Sequence, residues 1–303
     1  MHPAPSIIVF TVLSGLGLGL IVWVGLGLGP DTAAHAWIAS IAAIAISAIG
    51  GACSTLHLAK PSNAWRAFSQ WRSSWLSREA CLMVATLAAF GLYAAIWCLG
   101  GVRIALLGWL SAALAGATIY STAMIYAQIK AVPRWSATPT PVLFVGMALV
   151  GGLLASRTAQ SLAGNSEGIW HLLPALALAA GITVWWQTQA AGARRSTDGS
   201  TISSATGLGS DGRVRLFEAP HTGGNYLLDE MAYKVARNRA YQLRWIGAFA
   251  GFILPLVLCL LALGLGGWIL VLALLAHIAG MLALRWLFFA EAQHVQALYY
   301  GME

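Results

Sequence analysis

An all-α bundle of eight membrane-crossing helices is what this chain predicts, and three observations carry that expectation. Of its 303 residues, 59% are hydrophobic and 9% charged, where a soluble domain carries about 25% charged residues. The mean hydropathy is +0.74. The apolar residues come in continuous runs near the roughly 20 residues needed to cross a hydrocarbon core, not in the ten-residue alternation of an outer-membrane barrel.

The eight runs read Ile7–Leu28, Ala36–Ala59, Ala80–Leu99, Ile104–Ala127, Pro141–Ala155, Leu172–Trp186, Trp245–Leu263 and Ile269–Phe289. The first follows Met1-His-Pro-Ala-Pro-Ser, with no basic region before it, and reads as a retained span. Gly15, Gly19, Gly25 and Gly29 lie four residues apart in pairs, which lets a neighbouring helix approach closely. The fifth and sixth runs are short for a span. Residues 188–241 form the longest polar interruption of what otherwise reads as one transmembrane domain. Its Ser/Thr/Gly-rich part, Arg194 to Gly212, reads as a mobile linker. Asn225 then reads as the N-cap of a surface helix through Tyr226–Tyr241, with Asp229 and Glu230 early and Lys234, Arg237 and Arg239 late.

Net charge is +7, and its placement sets the orientation. If successive loops alternate sides, Lys60, Arg66, Arg72, Arg78, Lys130, Arg134, Arg285 and the eight cations from Arg194 to Arg244 share one side. That is 15 of the 17 Lys and Arg; only Arg103 and Arg157 face the other. Positive-inside bias then puts both termini in the cytoplasm.

The connection from His57 to Glu79 stands out. It holds an imidazole, a carboxylate, four cations and the rings of Trp65, Phe68, Trp71 and Trp75 at a membrane edge. Those rings would share one face of a short interfacial helix. An acid at membrane depth is costly and tends to mark function; imidazole exchanges protons near neutrality. If spans two and three are antiparallel neighbours, His57 and Glu79 meet at one depth. Proton-coupled chemistry on an apolar ligand needs that pairing. A solvated interfacial histidine and an acid at a helix N-terminus are the blander readings. The basic-aromatic mixture belongs to a membrane edge, so nucleic acid is not an expected partner.

Cys53, Cys81, Cys98 and Cys259 form no CxxC pair and read as structural thiols, with no iron–sulfur or zinc framework in this chain. Bound haem would need two facing histidines; His57 and His277, the two assigned to apolar spans, lie at different depths. A proton relay would need a chain of embedded acids and histidines, so a transporter is unsupported.

The opening His2-Pro-Ala, the segment His57-Leu-Ala-Lys-Pro through Ala64-Trp-Arg-Ala-Phe-Ser-Gln-Trp-Arg-Ser-Ser-Trp-Leu-Ser-Arg-Glu79, and the ending Arg285-Trp-Leu-Phe-Phe-Ala-Glu-Ala-Gln-His294 resemble the dimethyl sulfoxide reductase anchor subunit family from end to end. The resemblance implies an eight-helix, haem-free subunit of the bacterial inner membrane. Such a subunit anchors a molybdopterin catalytic subunit and an iron–sulfur subunit. It passes electrons between those clusters and the quinone pool, ubiquinone or menaquinone. The stretch Pro220-His-Thr-Gly-Gly-Asn-Tyr-Leu-Leu-Asp-Glu-Met231 resembles the sulfite dehydrogenase branch. The family's quinone-site histidine and glutamate match His57 and Glu79. Arg66, Trp65 and Trp71 are then candidate pocket helpers, and Arg72, Arg78, Lys130 and Arg134 candidate docking cations for the partner. A purely structural anchor is the rival expectation.

Overall fold

The computed structural model describes residues 4–55, 61–165, 167–193, 203, 206–208, 214, 217–218, 239–292 and 294–295. Among the described residues, eight helices are long and apolar enough to cross a membrane. They are α1 Pro5–Gly25, α2 Ala33–Cys53, α3 Trp75–Gly100, α4 Ala105–Ala127, α5 Thr140–Leu162, α6 Leu172–Ala193, α7 Ala240–Leu265 and α8 Ile269–Ala290. Local chemistry sets several ends. Pro5 and Pro141 open α1 and α5, where a missing N–H costs nothing. The Thr32 and Ser74 hydroxyls accept from the backbone N–H groups of His35 and Ser77 and cap α2 and α3. Gly101, with φ +67°, ends α3 in the left-handed region.

Spans five and six run further than their apolar stretches. Beyond Ala155 the polar side chains are bonded inside the bundle. Thr158 Oγ1 donates to the carbonyls of Leu154 and Leu270 at 2.8 and 3.3 Å, and Gln160 donates to Ser156 at 3.1 Å. Arg157 donates to Gln160 and the Glu167 carbonyl. A hydropathy reading stops at such residues; their hydrogen bonds let the helix continue to Leu162.

Helix α1 is the axis of the fold and touches α2, α4, α5 and α8. Its glycines are the reason. A Cβ on Gly19 would lie 1.8 Å from the Ala148 carbonyl oxygen of α5, and one on Gly152 would lie 2.1 Å from the Gly19 carbonyl carbon. Gly17 meets Ser47 of α2, and Gly25 meets Gly108 of α4 in the same way. The four-residue spacing is thus used at Gly19 and Gly25. Gly15 makes only ordinary contact, and Gly29 falls in the loop after α1 with φ +108°, because α1 ends at Gly25.

Helix α7 contains a π turn over Phe249–Ile253, where the Leu254 N–H bonds five residues back to Phe249. Pro255 has no N–H for the Gly251 carbonyl four residues earlier. That carbonyl instead accepts from His277 Nδ1 of α8 at 2.7 Å. Gly251 and Gly280 pack backbone to backbone at this crossing.

The two ends of the bundle are chemically different. At the cation-poor end Arg103 pairs with Asp31 at 3.2 Å and lies 4.0 Å over the Trp97 ring, while Trp97 Nε1 donates to Asp31 at 2.7 Å. At the other end the Glu291 carboxylate binds both Arg134 and Arg244. This joins the α4–α5 connection, α7 and the end of α8. Arg134 is 3% exposed, so it is an internal ion-pair residue and not a surface cation for docking, as its sequence position suggested.

The expected aromatic helix is also redistributed. A 3-10 helix covers only Pro61–Phe68, Trp71 lies in the following turn, and Trp75 already begins α3. The linker placed at Arg194 to Gly212 lies outside the described residues apart from 203 and 206–208, and so does the surface helix placed at Tyr226–Tyr241 apart from 239–241. Of these, Ala240 and Tyr241 begin α7.

Two outcomes are expected. Gly152→Ala should destabilise the detergent-purified protein by more than about 3 kcal/mol, because backbone atoms cannot yield as side chains do. Gly116→Ala, with nothing within 4 Å, should leave its thermal midpoint unchanged. Glu291→Ala should cost about 3–5 kcal/mol, the range for breaking a buried pair. Arg244→Ala should cost less, since that guanidinium is 42% exposed. Thermal unfolding in one detergent checks both.

Candidate functional site: a cavity beside the buried Glu79

Glu79 lies four residues into α3 and is 5% exposed. It is past the first turn, so it does not act as a charge at the helix N-terminus. Its carboxyl contacts the hydroxyl of Thr122 on α4. That hydroxyl also faces the Thr118 carbonyl at 3.1 Å. Thr122 has one proton and two lone pairs. It donates to an ionised Glu79, or donates to Thr118 and accepts from a protonated Glu79. The contact therefore serves both states of the acid. One turn deeper, Thr86 and Thr118 exchange a 3.1 Å hydrogen bond, extending a polar seam between α3 and α4.

Thr122 is also part of a cavity wall. The cavity is walled by α1, α4, α5, α6 and α8, and the space between these walls, open solvent included, is about 870 Å³. Most of the wall is apolar: Val12, Leu16, Ile119, Leu143, Met147 and Met281 are representative. Its polar members are few, among them Thr122, Gln187, His277 and Arg285. Thr122 and Arg285 each lie five residues from the end of their helix, roughly 7–8 Å in at about 1.5 Å per residue. His277 lies eight residues deeper, so the cavity runs from the cation-rich end toward the middle of the bundle.

Aromatic packing fixes the outer end. Arg285 stands 3.8 Å over the Phe144 ring, and Phe144 stacks on Tyr126 at 5.4 Å. Phe288 packs edge-on against both Tyr126 and Phe144. Trp186 holds its orientation by donating to Thr140 at 3.0 Å. Tyr126 lies within electrostatic reach of both Glu79 and Arg285. The acid and the guanidinium thus flank one aromatic group.

The residues singled out from sequence divide. Glu79 is brought against the cavity wall through Thr122. His57 lies outside the described residues. Trp65, Arg66 and Trp71 are exposed, with Arg66 over its neighbour Trp65 and Arg72 over Trp71. They lie exposed on the segment before α3 and are not among the residues that line the cavity. Arg78 is turned back, donating to the Trp71 and Arg72 carbonyls at 3.1 and 2.6 Å. It pins the turn to α3. Arg72 and Lys130 are exposed.

Sequence reasoning misses Arg285 and Thr122 as site residues, although a cation inside span eight is a readable signal. It misses His35 as well. Helix α2 starts at Ala33, so His35 is a fully buried histidine within a span, at the end away from Glu79.

A cavity of this composition suits an apolar ring with oxygens on it: the wall excludes charge and the polar groups are sparse and placed at two depths. Over its full length the chain is similar to the sulfite dehydrogenase C subunit of Allochromatium vinosum, at 29% identity over 99% of each chain. Residues 1–302 match the family model described as DMSO reductase anchor subunit (DmsC). An eight-helix bundle of this kind, matched from one end to the other, belongs to the DMSO reductase anchor subunit family.

Proposed function

We propose that this chain is the quinone-reactive, haem-free anchor subunit of a molybdopterin and iron–sulfur oxidoreductase of the sulfite dehydrogenase type. In this reading it lies in a bacterial inner membrane with both termini cytoplasmic. The observation that carries the proposal is Glu79. A carboxyl buried near the cation-rich end, with a hydroxyl partner suited to both of its protonation states, has no evident use in a passive tether. Replacing it by an apolar residue would relieve the cost of burying it. A group that must gain and lose a proton next to an apolar cavity has a use for that environment.

Glu79 exchanges a proton with the carrier, and Thr122 stabilises whichever form results. His57, matched to the family's quinone-site histidine, supplies a second proton-exchanging group at the same edge. Quinone is the substrate, and a docked iron–sulfur subunit is its two-electron partner. The molybdopterin and iron–sulfur cofactors belong to the partner subunits. Exposed Arg72 and Lys130 give the cytoplasmic face complementary charge for docking. Because proton exchange and electron transfer share one side, turnover moves no charge across the membrane.

Glu79→Gln, nearly isosteric and still able to bond Thr122, tests the reading in the assembled complex. Quinone-linked turnover should fall by about a hundredfold or more, the range of a lost acid–base group. Oxidation of the partner's substrate by an artificial soluble dye should persist. Equal loss of both would indicate an assembly role and would favour the purely structural anchor.

A further inference from the structure

Among the described residues, two that line the cavity carry a buried side-chain nitrogen with no hydrogen-bond partner, and the two are of opposite kinds. Arg285, 8% exposed, has Nη1 unbonded; His277, 1% exposed, has Nε2 unbonded. An unsatisfied buried polar group costs about 1–3 kcal/mol, so two facing one cavity call for a ligand that satisfies both. The hydrogen bond from His277 Nδ1 to Gly251 fixes which kind His277 is. With the proton held on Nδ1 by a carbonyl that Pro255 leaves unserved, neutral imidazole presents a bare lone pair at Nε2. The guanidinium offers only N–H. The outer end of the cavity therefore donates and the deep end accepts.

The two residues are eight positions apart on α8, roughly 12 Å along the axis at about 1.5 Å per residue. Reach of the arginine side chain toward the helix N-terminus shortens the gap between their polar atoms. A six-membered ring with oxygens at opposite positions, plus a hydrogen bond at each, bridges a gap of that order. Between the two groups the wall is apolar. At the deep end the Gly151 backbone lies close to His277 and Leu16: a Cβ there would sit 3.2 Å from His277 Nε2 and 3.0 Å from Leu16 Cδ1, so any side chain at this position would crowd the ring nitrogen.

We propose that the cavity holds the quinone ring lengthwise, one ring oxygen on Arg285 Nη1 and the opposite hydroxyl on His277 Nε2. This rests on the quinone-reactive reading and assigns to that site two positioning residues and a preference. Because Nε2 accepts, the site binds the reduced, hydroxyl-bearing carrier more tightly than the oxidised one.

The probe is 2-heptyl-4-hydroxyquinoline N-oxide, which carries an acceptor oxygen and a hydroxyl at opposite ring positions. It is titrated by fluorescence into the complete complex. His277→Leu should weaken its binding about tenfold, the effect of one lost hydrogen bond of about 1.4 kcal/mol, and Gly151→Ala should weaken it to a similar extent by crowding His277 Nε2. They should raise KM for a short-tailed quinol more than they lower kcat. Dye-linked activity should be retained, which shows that the complex assembles. Gly151→Ala removes no polar group and so reports on the cavity even if His277→Leu fails to fold. His277→Gln, which restores an acceptor, should recover part of the affinity. Unchanged probe affinity in both His277→Leu and Gly151→Ala, with quinone-linked turnover lost in Glu79→Gln, would overturn this pose and leave the quinone reading standing. Full quinone-linked turnover in all of these variants would overturn both.

Discussion

Backbone-to-backbone contact along α1 is the constraint on which the rest of the structure depends. Within a bilayer, helices gain little from hiding apolar surface, so association rests on close packing. Gly17, Gly19 and Gly25 let α2, α5 and α4 reach α1 on different sides, with Ser47, Gly152 and Gly108 at the contacts. Glu79 does not touch α1. Its partner Thr122 is on α4, and the α4–α1–α5 arrangement decides where the Glu79–Thr122 pair stands relative to the cavity.

Ionisable groups show a second rule. At the bundle ends they are neutralised locally: Asp31 by Arg103 and Trp97, Glu291 by Arg134 and Arg244. Arg157 is bound by Gln160 and a carbonyl. Glu79, His277 and Arg285 depart from that pattern. Each is buried and each bears on one cavity, directly or through Thr122. Structural economy explains the first set, since paired charges are tolerable near an interface. It does not explain the second, where apolar residues would pack at lower cost.

The π turn in α7 links fold and chemistry. Pro255 withholds a donor, Gly251 is left with a carbonyl to satisfy, and His277 answers from the neighbouring helix. Gly280 makes room for the approach. A proline and a glycine of α7, with Gly280 of α8 facing them, thereby set the tautomer of an imidazole on α8. Such turns often accompany functional positions, and here the physical reason is visible.

The number of spans, their order and the uneven ends were legible in the chain, because hydropathy and charge are properties of consecutive residues. Glu79 was legible for the same reason: an acid at the edge of an apolar run is conspicuous. The lengths of spans five and six were not, since Thr158, Gln160 and Arg157 look like loop residues until their bonding partners are known. Arg134 and Trp65 show the opposite failure. Sequence offers Arg134 as a docking cation and Trp65 as a pocket residue, yet one is sealed in an ion pair with Glu291, 157 positions away, and the other is exposed. Composition and periodicity, being local, determined that this protein is a polytopic helical bundle with an acid near one face. Which side chains converge on that acid, and that a cavity joins Thr122, Arg285 and His277, depended on helix crossings between residues far apart in the chain, and only the tertiary structure could decide it.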